Sequence, residues 1–195
     1  MIVAISSSCL SVFLGTALGL GASRFRFPGR GLLLSIAVAP MIIPYLGLAV
    51  ALLMTFVAVG IRPSIEAVIV GHVVVSIPYV MLMVGARASG MGALLEEAAL
   101  DLGANWWEVI RRVYLPLLRP AVAAGFVSSL VLSLDEFYLA FFLSGPDQTL
   151  PVYFFSGLRR PELLPPTLAL VTLMTVATLI LLAVTHAVAG RAGRR

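Results

Sequence analysis

The chain has 195 residues, 61% of them hydrophobic and 11% charged, with mean hydropathy +1.07 and formal net charge +4. A soluble domain of this size needs a charged skin, so the composition excludes an ordinary water-soluble globule and places the chain in a bilayer. The thirteen basic residues are all arginine and fall between apolar stretches, unlike a nucleic-acid face, and the lone Cys9 excludes an intrachain disulfide or a cysteine-rich metal site.

Five runs reach the roughly 20 apolar residues that a helix needs to cross the hydrocarbon core: residues 2–22, 32–59, 67–86, 121–143 and 167–189. They lack the alternation of barrel strands, so a single all-α domain over residues 1–195, a polytopic membrane helix bundle, is expected. The first run makes a poor signal peptide, because no basic residue precedes it and its arginines follow it instead. Within it, Gly15 and Gly19 form a small-xxx-small pair suited to close approach of a neighbouring helix. Pro40, Pro44 and Pro78 fall inside runs, where each is expected to kink its helix, either as plain packing or as a wall beside a pathway.

The connections alternate in charge. Arg24, Arg26 and Arg30 follow the first run, Arg87, Arg111, Arg112 and Arg119 follow the third, and Arg191, Arg194 and Arg195 end the chain. Only Arg62, Arg159 and Arg160 lie on the opposite side. The excess of arginine on the cytoplasmic face puts the N-terminus outside and the C-terminus in the cytoplasm. Five spans that begin outside suggest a missing N-terminal helix or an internal start.

The segment 87–119 is too polar to span. Leu95, Ala98, Ala99 and Leu102 recur at i, i+3, i+4 and i+7 on one face of a short helix, with Glu97 and Asp101 on its outer face. Gly103 is placed to end that helix in a left-handed conformation. Asn105, with Glu108 three residues on, is a capping box for a second helix. Its stripe is Trp106, Val109, Ile110 and Val113, and Leu115–Pro116 is expected to end it. The result would be two helices lying flat under the membrane.

Glu97-Ala98-Ala99, three residues, Gly103, nine residues, Val113, one residue, then Leu115-Pro116 resembles the EAA loop of binding-protein-dependent ABC importer permeases, with Val113 in place of isoleucine. The resemblance extends to Ser133-Leu134-Asp135-Glu136-Phe137, Phe142-Leu143-Ser144-Gly145-Pro146, Thr149-Leu150-Pro151-Val152-Tyr153 and Arg24-Phe25-Arg26-Phe27-Pro28-Gly29-Arg30, which look like the spermidine/putrescine permease branch. It implies a permease fold, usually of six spans with the first missing here, in a bacterial inner membrane. Glu97, Ala98, Ala99, Gly103, Val113, Leu115 and Pro116 would then contact an ABC ATPase subunit. A second, different permease subunit and an extracytoplasmic binding protein complete the implied assembly; the fourth-run motif favours a polyamine as solute, with another small solute as the alternative. A P-loop needs a lysine, which this chain lacks, so ATP would be bound and hydrolysed by the partner. No cofactor and no catalytic residue are expected, and no nucleic acid is a partner.

Asp135 and Glu136 lie about two-thirds along the fourth run. An acid there costs roughly 2.5–3.5 kcal/mol on insertion scales, so it faces a wet cavity or a partner. Three readings stand: a carboxylate on a cationic solute's path, a helix-end acid at the headgroups, or an ion pair with Arg159 or Arg160. Asp135 is the better pathway residue because it aligns with the acidic position that the resemblance implies; Glu136 points about 100° away on a helix, so the two are not expected to share one role. His72 and His186 are hydrogen-bonding packing residues, and no metal site is expected. Tyr153, Phe154 and Phe155 suit an interfacial aromatic belt. The rival readings are a gradient-driven transporter, which would leave the 87–119 loop without a purpose, and a structural membrane subunit without a pathway, which the short length allows.

Overall fold

The computed structural model describes residues 1–92 and 94–192, with side chains omitted for 184–192. Every regular element among the described residues is helical. On α1 (Ile2–Arg24), Ala4, Ser8, Ser11, Gly15 and Gly19 are buried at spacings of three or four and so share one face. That face lies on α4 (Ile65–Ser89). A Cβ at Gly15 would stand 2.6 Å from Val80 Cβ, so the expected small-xxx-small approach is present as near backbone contact.

Helix α4 is the central column, packed against α1, α7 (Leu115–Asp135) and α8 (Tyr138–Leu143). Ser64 caps its start by accepting the Ala67 N–H at 3.3 Å. The Ser64 N–H donates to the Leu143 carbonyl at 2.7 Å, which ties the beginning of α4 to the end of α8. Pro78 is buried inside α4, which continues through it. Two apolar clusters flank the column. Val68, Val75, Leu139 and Leu143 fill one end; Leu20, Val80, Val84, Val109, Tyr114 and Leu118 fill the other. Helix α10 (Leu164–Ala192) exposes Leu168, Leu173, Val176 and Leu179, an apolar flank suited to lipid rather than water.

Among the described residues, four helices are long and apolar enough to cross a membrane, or five if one bent pair counts as a span. That pair is the expected 32–59 run. It is two helices, α2 (Arg30–Ile42) and α3 (Tyr45–Ala58), meeting at 116°. Pro44 forces the break: it supplies no N–H and holds Ile43 in extended conformation (φ −77°, ψ 130°).

The fourth span also departs from expectation. The loop's second helix, α6 (Trp106–Val109), does not stop at Leu115–Pro116. It runs through a π-helical turn (Ile110–Tyr114) into α7, giving one rod from Trp106 to Asp135. The Leu115 N–H reaches back five residues to the Ile110 carbonyl. This change of register just before Pro116 absorbs the missing proline donor that would interrupt an ordinary α-helical ladder. At its far end α7 stops at Asp135 rather than continuing to residue 143, because Glu136 is extended (φ −73°, ψ 113°) and α8 starts afresh. Asp135 and Glu136 therefore sit at a break, not within a span.

Candidate functional site

The 94–116 loop is built largely by local rules. Helix α5 (Leu94–Asp101) ends where Ala104 N–H bonds Ala99 O at 3.0 Å and Gly103 N–H bonds Leu100 O at 2.9 Å. Gly103 carries φ +85°, the left-handed cap expected of it. A Cβ there would meet nothing within 4 Å, so glycine is required by conformation and not by space. The Asn105–Glu108 capping box is present in both directions: Asn105 N–H donates to Glu108 Oε2 at 3.1 Å, and Glu108 N–H to Asn105 Oδ1 at 3.0 Å.

The faces of α5 differ from the expectation. Ala99 and Leu100 are its half-buried apolar residues, whereas Leu95, Ala98 and Leu102 point outward. Leu102 is 89% exposed, Leu94 78% and Trp107 66%. Glu97 and Asp101 are exposed beside them. Val113 and Pro116 are half-buried and Leu115 is exposed, so the seven motif residues are split between an outer surface and the seam with α7. A cleft of about 340 Å³ opens between α5 and α6, lined by Ala99, Leu102, Gly103, Glu108 and Arg112. An apolar surface with acidic neighbours and a hollow between two helix ends suits a protein partner better than lipid, which favours a basic polar face.

At the other end, the α7–α8 break separates the two acids. Asp135 is exposed at the last residue of α7. Glu136 is 4% exposed, and its Oε2 accepts the N–H groups of Leu139 (2.8 Å) and Ala140 (3.3 Å), capping α8. Neither acid pairs with Arg159 or Arg160 among the described residues; the Arg159 guanidinium lies 4.9 Å over the Phe155 ring instead. Phe155, on α9 (Leu150–Gly157), packs on Phe137 with ring centroids 4.9 Å apart.

His72 is the hydrogen-bonding packing residue expected, although its partners were not foreseen. Its Nδ1 shares a 2.6 Å hydrogen bond with Ser133 Oγ, which also accepts from Ser7 Oγ at 3.1 Å. His72 Nε2 lies 3.7 Å from Glu136 Oε2. One buried polar cluster therefore joins α1, α4 and the α7–α8 break, and a cavity of about 380 Å³ reaches His72, Ser133 and Thr149. His186 lies outside the residues whose side chains are described. No group of three His, Cys, Asp or Glu capable of holding a metal occurs among the described residues.

Sequence reasoning also missed a cluster at the loop end. Arg24, read from the sequence as a topology signal and part of a loop motif, donates from Nη2 to the carbonyls of Ala88 (2.7 Å) and Met91 and lies 5.0 Å from the Tyr114 ring centroid. Tyr114 Oη in turn donates to Glu96 Oε2. No local pattern could have revealed contacts between residues this far apart in sequence.

Comparison with known proteins agrees with this geometry. Residues 11–194 match the family described as binding-protein-dependent transport system inner membrane component. The spermidine/putrescine transport system permease protein PotC of Escherichia coli (strain K12) is 30% identical over 188 residues, covering 96% of this chain and 71% of that protein. PotC of Haemophilus influenzae is 33% identical over 180 residues, covering 92% and 70%. The putrescine transport system permease protein PotI of E. coli (strain K12) is 31% identical over 172 residues, covering 83% and 61%. A solved structure of the MetNI methionine ABC transporter in inward-facing conformations superposes with TM-score 0.68 at 18% identity, covering 97% of this chain and 92% of its counterpart, a likeness of fold.

Proposed function

The chain belongs to the binding-protein-dependent inner membrane component family and is a multi-pass permease subunit of an ABC importer, and we propose that its solute is a polyamine driven inward by a separate ATPase. The observation that carries the coupling half is the outward face of α5 and α6. Leu94, Ala98, Leu102 and Trp107 stand exposed beside Glu97 and Asp101, and Gly103 turns the chain sharply between them. A short helix pair continuous with a 30-residue rod can transmit a rigid-body movement from a docked ATPase into the membrane. Glu97, Ala98, Ala99, Gly103, Val113, Leu115 and Pro116 are the residues we assign to this contact or to its support.

The solute assignment rests on the names of the relatives and on the acids at the α7–α8 break. A polyamine carries several positive charges, and moving them through a medium of low dielectric requires compensating carboxylates. Asp135, exposed and unpaired among the described residues, is the pathway residue; Glu136 supports the break that presents it. ATP binding and hydrolysis belong to the partner, and this chain carries no cofactor or catalytic residue of its own. A second, different permease subunit completes the pathway, a binding protein delivers the solute from outside, and the α5–α6 face is cytoplasmic.

The test is uptake of labelled spermidine and putrescine into proteoliposomes holding the complete complex. ATP-dependent uptake that requires the binding protein is expected. Uptake driven by an ion gradient without ATP would return the chain to the gradient-driven reading.

A further inference from the structure

The coupling helix must be fastened to the spans it moves, and four elements converge on a single set of side chains that does this. Arg24 is the last residue of α1. Its Nη2 reaches the carbonyl of Ala88 in the last turn of α4, which also accepts the Met91 N–H at 3.2 Å, and the carbonyl of Met91 just beyond the helix. A cation there also meets the negative end of the α4 dipole. The same guanidinium rests over the face of Tyr114, its carbon 5.0 Å from the ring centroid. Tyr114 closes the π-helical turn, is 2% exposed, and donates from Oη to Glu96 Oε2 on α5.

We propose that the Arg24–Tyr114–Glu96 chain is the linkage through which movement of the coupling helix reaches α1 and α4, so that these are positioning residues for energy coupling. This rests on the reading of α5–α6 as the ATPase contact. The seam between α5 and the spans is otherwise thin: α5 has no buried residue, and only Ala99 and Leu100 of its apolar side chains pack inward. The Arg24 guanidinium, bonded at the end of α4 and lying over Tyr114, together with the Tyr114–Glu96 hydrogen bond, supplies what that packing lacks. The π-helical turn contributes by shifting the register of the rod just before α7, which places Tyr114 under Arg24 while the Leu115–Pro116 step continues into the membrane.

The linkage is tested in proteoliposomes holding the whole complex, with solute uptake and binding-protein-stimulated ATP hydrolysis measured on the same preparation. Tyr114→Phe keeps the ring beneath Arg24 and removes only the hydroxyl. It is expected to lower solute transported per ATP about five-fold, the scale of one lost hydrogen bond, with hydrolysis falling less than uptake. Glu96→Ala should do the same, and the double variant should be no worse than either single, because both break one link. Glu96→Gln keeps an acceptor and should restore the wild-type ratio. Equal loss of uptake and hydrolysis in Tyr114→Phe would mark a merely structural role and overturn the proposal, as would an unchanged ratio. Leu102→Glu checks the docking reading separately, since it must reduce retention of the ATPase subunit. If it does not, both readings fall; if it does and Tyr114→Phe keeps the wild-type ratio, the linkage alone falls.

Discussion

Gly19 brings the backbone of α1 directly onto Met81 of α4: a Cβ on Gly19 would stand 2.6 Å from the Met81 carbonyl oxygen and 3.0 Å from the Gly85 nitrogen. Backbone cannot yield as a flexible side chain does. Gly19→Leu should therefore separate the two helices or shift α1 along α4, at a cost of about 1–3 kcal/mol for overpacking. Gly21→Ala is the control, because nothing lies within 4 Å of a Cβ there. Thermal unfolding of the detergent-solubilised protein should show a clear loss for Gly19→Leu and none for Gly21→Ala. Equal stability of the two would mean that α1 does not pack here.

The features legible in the sequence are those that local chemistry dictates. Gly15 and Gly19 announce close approach, Gly103 announces a left-handed turn, and Asn105 with Glu108 announces a capped helix start; each is found. The errors arise where tertiary context decides. Pro116 reads as a helix end, yet the π-helical turn before it carries the rod onward. The run 121–143 is long enough to read as one span, but the buried Glu136 carboxylate caps α8 and the run divides there. Leu95, Ala98 and Leu102 belong to the inward stripe of a helix considered alone; in the fold they face outward, and Ala99 and Leu100 pack inward instead.

Coupling should depend on the backbone at Gly103. With φ +85° and open space around it, Gly103→Val is strained by about 1–2 kcal/mol in the left-handed region but clashes with nothing. Gly103→Asn, which tolerates that region, should be milder. We expect Gly103→Val and Glu97→Lys to insert normally and lose ATP-driven uptake, with Gly103→Asn between them and the wild type. Wild-type uptake by all three, with the ATPase still copurifying, would remove the docking role of this loop.

The orientation expected from where the arginines lie can be read with single cysteines. In a Cys9→Ser background, Gly92→Cys, exposed between α4 and α5 with open space around it, should react with a membrane-impermeant thiol reagent only after the membrane is opened. Asp147→Cys, between α8 and α9, should react from outside in intact cells. The reverse pattern would invert the topology and place the α5–α6 face where no cytoplasmic ATPase could reach it.

The two adjacent acids should separate by role. Asp135 is exposed at the end of α7, whereas Glu136 is buried with Oε2 accepting two N–H groups of α8 and His72 Nε2 3.7 Å away. Asp135→Asn keeps volume and hydrogen bonding and deletes the charge, so it isolates the electrostatic attraction for a polycation. Uptake of spermidine should fall roughly ten-fold or more, the scale of one lost charge–charge contact in a partly hydrated path, without loss of insertion or ATPase retention. Glu136→Gln retains an oxygen for the Leu139 and Ala140 N–H groups and should have the smaller effect on uptake. Glu136→Ala removes the cap and should cost stability by about 0.5–2 kcal/mol, lowering the unfolding temperature where Asp135→Asn does not. Wild-type spermidine uptake by Asp135→Asn, or a preference of the complex for an anionic solute, would end the polyamine assignment. The family membership would stand, and the solute would have to be sought among small molecules that need no carboxylate at this break.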